Sequence, residues 1–161
     1  MKTPFCLLLT VLLFALCGCG KDPLNELPPA TQTGANTFGC KVNGVTYKCS
    51  GHWDFKNFLT LEGVCGNYAN GEFAIYALIY DPHYKITFKF NCIKNTIGVY
   101  REDIRLGSGG ELVDGFDSKI IVTRFDDSVI SGTFQMKFQF DGNENRSYEY
   151  TEGRFDIKLK N

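Results

Sequence analysis

The alternation of apolar and polar residues after Asn36 is the feature that most limits how this chain can fold. Residues 134–140 (FQMKFQF) alternate Phe or Met with Gln or Lys, and residues 86–92 and 155–159 show the same period. A period of two places successive side chains on opposite faces of a β-strand. Asn43-Gly44 separates two such segments and is typical of a tight hairpin turn, because both residues tolerate positive φ. Since no segment after residue 19 keeps a 3.6-residue period, we predict an all-β protein.

The alternating segments indicate roughly eight or nine strands. Residues 73–80 (FAIYALIY) are apolar in both phases, which favours a central strand. The chain has 14 Phe, 8 Tyr and 17 Gly, a composition that favours strands and turns. We therefore predict a single antiparallel β-sandwich or flattened barrel over residues 37–161.

The N-terminus carries a pattern of a different kind. Lys2 precedes an apolar run over residues 5–16 that is shorter than the ~20 residues needed to span a bilayer, as in a signal peptide. Leu16, Gly18 and Cys19 then resemble the bacterial lipobox, in which a small residue precedes a cysteine that receives a diacylglyceryl group. We predict a signal peptide over residues 1–18 and lipidation of Cys19, with membrane attachment through the acyl chains. The residue after Cys19 is Gly20, not the acidic residue that retains lipoproteins at the inner membrane. This favours sorting to the outer membrane.

Residues 19–36 form the predicted link between this anchor and the domain. The segment holds three of the five prolines and few large apolar residues. Because proline-rich segments favour extended conformations, we predict a flexible tether.

Four cysteines remain after the signal peptide and Cys19 are set aside. They are Cys40, Cys49, Cys65 and Cys92. An even number in an exported domain suggests two disulfides. Cys40 and Cys49 share a face of the Asn43-Gly44 hairpin, so we favour the pairs 40–49 and 65–92; the alternative is four buried thiols.

The sequence offers little support for catalysis, metal or nucleic acid. The two histidines, His52 and His83, lie outside any C-x-x-C pattern, and no G-x-S-x-G is present. Lys and Arg number 17 against 18 Asp and Glu, without a basic stripe. We predict no catalytic residues, no cofactor, no metal and no nucleic-acid partner.

Two residue groups keep other functions open. The acidic pairs Glu102-Asp103 and Asp126-Asp127 would suit a glycoside hydrolase if they met in space. Several aromatic side chains would suit stacking on sugar rings, although such residues are more often packed in cores. They include Trp53, Tyr68, Tyr76, Tyr80, Tyr84 and Tyr100.

Three stretches together resemble a family of uncharacterised lipoproteins of the Bacteroidota, known as a domain of unknown function. They are residues 27–44 (LPPATQTGANTFGCKVNG), 129–134 (VISGTF) and 153–159 (GRFDIKL). The resemblance implies an envelope-anchored β domain in a bacterium with two membranes. It implies no reaction, ligand or catalytic residue.

These observations predict an outer-membrane lipoprotein that acts as a non-enzymatic binding or structural module. Its ligand would be a glycan, or an envelope or host protein, on either side of the outer membrane. The alternative is a calycin-like barrel that holds a small apolar ligand, because many Phe residues point inward. An envelope hydrolase is the third hypothesis.

Overall fold

The computed structural model describes residues 26–52, 63–79, 84–140 and 146–159, which form eleven strands and no helix. The strands are β1 (Thr37–Val42), β2 (Val45–Ser50), β3 (Gly63–Ala69), β4 (Glu72–Ile79), β5 (Tyr84–Asn91), β6 (Gly98–Tyr100), β7 (Arg105–Leu106), β8 (Glu111–Leu112), β9 (Lys119–Phe125), β10 (Val129–Phe140) and β11 (Arg146–Lys158). The all-β prediction is confirmed. The number of strands exceeds the predicted eight or nine, because β6, β7 and β8 have only two or three residues, too few to show alternation.

The strands form two antiparallel sheets that pack face to face. The large sheet has the order β2-β1-β11-β10-β9-β6, with β8 also paired to β10, and the small sheet has the order β3-β4-β5-β7. β3 begins beside the end of β2, where Val64 N donates to Gly51 O (2.9 Å), and ends beside β9, where the Tyr68 and Phe125 rings lie 5.6 Å apart. Because β2 and β9 are four places apart in the large sheet, β3 crosses its strands at a steep angle, as in orthogonal packing.

Phenylalanine rings fill the space between the sheets. Phe134 lies 4.9 Å from Phe88 and 5.5 Å from Phe38, measured between ring centroids. Gly153 faces Phe134 from β11, and a Cβ at this position would lie 2.5 Å from the ring. Each such ring stabilises the fold by roughly 1.5–3 kcal/mol through burial. The rings occupy the space that an apolar ligand would need in a calycin-like barrel.

The tether prediction is wrong over residues 26–36, which we call the N-terminal segment. This segment packs on the outer face of the large sheet, with Leu27 only 9% exposed. Gly39 makes the close approach possible, because a Cβ there would lie 2.5 Å from Cδ of Pro28. Arg154 Nη1 also donates to Pro28 O (3.0 Å). The folded domain therefore begins by residue 26 rather than at residue 37.

The four cysteines are buried thiols, and one predicted pairing is wrong. Cys65 aligns with Tyr76 and, through β4, with Thr87 on β5, while Cys92 lies five residues beyond Thr87. At about 3.3 Å per residue the two cysteines are some 17 Å apart along the strands alone, far beyond the ~7 Å Cα limit for a disulfide. Cys65 also lies on the outer face of the small sheet, because its neighbour Gly66 lies on the inner face against the buried Phe73 ring.

The Cys40–Cys49 disulfide stays a prediction. The register places Cys40 opposite Tyr47 and Cys49 opposite Phe38, so the two cysteines are diagonal neighbours on one face. Diagonal Cα separations of about 7–8 Å lie at the limit of what a disulfide spans. The Cys49 Sγ lies 3.4 Å from Gly63 O, to which it can donate.

Candidate functional site

The two sheets differ in how their outer faces are covered. The N-terminal segment lies across the outer face of the large sheet and leaves beside it a groove of about 280 Å³, lined in part by Lys119, Thr133 and Arg154. The outer face of the small sheet carries a polar concavity of about 370 Å³. We call this concavity the polar cleft, and it is the candidate ligand site.

A row of paired residues forms the floor of the polar cleft. Asn67 on β3 pairs with Ala74 on β4, Ala74 pairs with Lys89 on β5, and Lys89 pairs with Arg105 on β7. Paired residues in a sheet point to the same face, so this row crosses all four strands. The short side chain of Ala74 makes the middle of the row low, and the longer polar side chains rise on both sides.

Glu72 organises the charges of the cleft. Its Oε2 accepts a hydrogen bond from Arg105 Nη2 at 2.8 Å, and its Oε1 lies 3.3 Å from Lys89 Nζ. The Glu72 side chain is 25% exposed, whereas that of Arg105 is 62% exposed. Two cations against one carboxylate leave this part of the cleft with a positive balance. The exposed N–H groups of Arg105 remain accessible to oxygen atoms of a ligand.

Tyr76 and Asn91 also line the polar cleft. Tyr76 and Leu78 both lie on the outward-facing side of β4, and Tyr76 is partly exposed. Asn91 donates from Nδ2 to Asp103 Oδ2 at 3.0 Å, which fixes the direction of its amide. A flat aromatic surface beside amides and a carboxylate is the combination that recognises hydroxyl-rich molecules.

The structure separates the aromatic residues considered above. Tyr68 contacts the Phe125 ring and Tyr100 contacts the Phe90 ring at 5.4 Å, so both pack against the core. Of the group, Tyr76 lines the polar cleft. Trp53 and Tyr80 lie outside the described residues, as does the side chain of Tyr84.

On the opposite sheet, Asp156 holds the N-terminal segment. Its carboxylate accepts hydrogen bonds from Thr31 Oγ1 (2.6 Å), Thr33 Oγ1 (3.3 Å), and the backbone N–H groups of Thr33 (3.0 Å), Gly34 (2.8 Å) and Ala35 (3.2 Å). Burial raises the pKa of this carboxyl, but the hydrogen bonds from Thr31 and the backbone outweigh it, so the pKa lies below its usual value. The carboxylate is thus a structural anion that fastens the segment.

The acidic pairs have structural contacts. Asp126 accepts hydrogen bonds from Ser128 Oγ (2.7 Å), Ser128 N (2.8 Å) and Val129 N (2.9 Å), and from Arg124 Nε at 2.6 Å. Hydrogen bonds from Ser128, first among these, hold its pKa well below the usual range, which does not suit a general acid. Asp127 pairs with Lys94 at 2.8 Å.

Within the described residues, no three His, Cys, Asp or Glu side chains group to hold a metal ion. His52 forms an isolated bridge with Val64, and His83 lies outside these residues. The described part of the chain also has no helix long and apolar enough to cross a bilayer.

The architecture and the cleft define a two-sheet all-β protein with an open polar cleft on the small sheet. Comparison of the chain with protein-family models, with curated proteins and with solved structures finds no match in any of the three.

Proposed function

We propose that this chain is a non-enzymatic binding module attached to the outer membrane through a lipidated Cys19. Its ligand site is the polar cleft, and the ligand is rich in hydroxyl groups, as saccharides are. The observation that carries the proposal is the four-strand row Asn67–Ala74–Lys89–Arg105, flanked by Tyr76.

The polar character of the cleft suits binding better than catalysis. Glu72 is held by Lys89 and Arg105, so both of its carboxylate oxygens already have partners within the protein. The amides of Asn67 and Asn91 supply both donors and acceptors. Such groups orient a ligand by hydrogen bonds without changing its covalent structure.

Attachment through Cys19 is supported by the apolar run over residues 5–16 and by Leu16 and Gly18 before the cysteine. Changing Cys19 to Ala should move the protein from the membrane fraction to the soluble fraction. A Cys19→Ala chain that stays with membranes would contradict lipid anchoring, whatever the cleft binds.

The ligand is tested with a panel of glycans and envelope extracts, scored by the rise in melting temperature. Loss of the Arg105 guanidinium in Arg105→Gln should weaken binding about tenfold, because charge-assisted hydrogen bonds contribute about 1.5–3 kcal/mol. Arg101→Gln is the matched control, since Arg101 is 54% exposed and pairs with Asp117 away from the cleft. No shift with any ligand, or equal binding by both variants, would contradict the proposal.

A further inference from the structure

The N-terminal segment enters the domain at one edge of the large sheet. Lys48, on the edge strand β2, donates from Nζ to Glu26 O at 3.0 Å. Next along the chain, Leu27 and Pro28 cover Gly39, which pairs with Lys48. Followed backward from Pro28, the chain therefore runs from β1 toward β2, and its first described residue lies over the β2 edge.

The distance from this edge to Cys19 is short. Seven residue steps separate Cys19 from Glu26, and a fully extended chain covers at most about 25 Å in seven steps. The large sheet has five strand intervals between β2 and β6, or about 24 Å at the usual spacing. At full extension the link is about as long as the sheet is wide. In any shorter conformation it holds the β2 edge closer to the anchor than the β6 edge.

The outer face of the large sheet is a poor surface for lipid. It carries ion pairs such as Lys41–Glu152 (2.5 Å) and Lys137–Glu149 (3.6 Å). Pressing the sheet flat on a bilayer would take these charges out of water, which costs more than the pairs recover. Standing on the β2 edge leaves them hydrated and brings the exposed side chain of Val45 to the headgroups.

We propose that the domain stands on its β2 edge at the bilayer surface, with Val45 next to the lipid headgroups and the β6 edge about 24 Å farther away. The occupant of the β2 edge is a lipid surface, and the inference rests on the Cys19 anchor of the proposed function. This orientation keeps the polar cleft beside the membrane rather than against it. It also turns the exposed side chains of Ile93, Ile97 and Val99 toward the aqueous side.

Two valines provide a matched test. Val45 on β2 and Val99 on β6 lie on opposite edge strands of the large sheet and are 55% and 54% exposed. Val45→Cys and Val99→Cys are labelled with a fluorophore in the full lipidated chain, which is bound to phosphatidylethanolamine–phosphatidylglycerol vesicles that carry a headgroup quencher. The wild-type chain treated with the same reagent corrects for labelling of the buried cysteines, and circular dichroism checks that both variants fold.

We expect quenching several-fold stronger at position 45 than at position 99. Equal quenching, or stronger quenching at position 99, would overturn the edge-on orientation while leaving the lipid anchor intact. A purified chain without the mass of the acyl groups would overturn the anchor itself, and the orientation with it. Binding of a glycan in the polar cleft is measured separately and is independent of all three outcomes.

Discussion

Replacing Asp156 with alanine tests how much of the stability depends on fastening the N-terminal segment. Asp156 is 1% exposed, and its carboxylate accepts three backbone hydrogen bonds, from Thr33, Gly34 and Ala35. A buried N–H group left without a partner costs about 1–3 kcal/mol, and because these three bonds are only part-buried, each contributes at the lower end of that range. The segment can escape part of this cost by detaching, which then loses the burial of Leu27. We expect Asp156→Ala to lower the free energy of unfolding by about 3–5 kcal/mol.

The assay is urea unfolding, with hydrogen exchange at residues 33–35 as a local measurement. The loss should lower the melting temperature by roughly 10–20 °C. Asp127→Ala is the control, because Asp127 is 75% exposed in its pair with Lys94 and should change stability by less than about 0.5 kcal/mol. The reasoning is refuted if Asp156→Ala is as stable as the control or if the amides of residues 33–35 exchange at the wild-type rate.

The lowered pKa of Asp156 predicts that the stability of the domain depends on pH. Because the folded pKa of Asp156 is lowered, its contribution is complete above the unfolded pKa of about 3.9 and is lost as the pH falls through the folded pKa. Wild-type protein should therefore lose stability more steeply than Asp156→Ala below about pH 4.

Three further predictions concern packing and thiols. Gly39→Ala should lower the free energy of unfolding, measured in urea, by about 1–3 kcal/mol, because the new Cβ would push Pro28 away. Gly98→Ala is the control and should leave this free energy almost unchanged, because the nearest atom to its Cβ would be 3.9 Å away. Gly153→Ala should be worse than Gly39→Ala, because the new Cβ overlaps the buried Phe134 ring at 2.5 Å; a milder effect would contradict that packing. Burial raises the pKa of the Cys92 thiol to about 11, so mass spectrometry should find its native alkylation about a hundredfold slower than in denaturant, and equal rates would contradict this.

The strands that alternate most clearly were predictable from the sequence. Phe134, Met136 and Phe138 are buried on β10, as their period of two predicts, and the Asn43-Gly44 turn joins β1 to β2 with both residues at positive φ. Short alternating segments succeed because one face of each strand packs on the core. The pairing of β1 with β11 could not be predicted in this way, because periodicity carries no information about which strands are neighbours in a sheet.

The candidate site was harder to find for a related reason. Residues 73–80 are apolar in both phases, so the pattern did not show that Ala74 and Tyr76 face outward. In β3 the inward-facing position next to Cys65 is Gly66, which has no side chain, so the sequence pattern does not show which face of the strand packs on the core. The sequence also did not show that the N-terminal segment packs on the domain, because its hydrogen-bond acceptor, Asp156, lies more than 120 residues later.

That long separation has a consequence for the time course of folding. β1 pairs with β11, so the β1–β2 hairpin has no other neighbour in the large sheet until the last strand is present. Bringing together segments so distant in sequence makes folding slow, since loop closure must precede the contacts that reward it. A chain crossing a membrane from its N-terminus would emerge with the hairpin unpaired. If the chain is exported as proposed, we expect the domain to complete its fold only after the C-terminal strand has crossed the membrane.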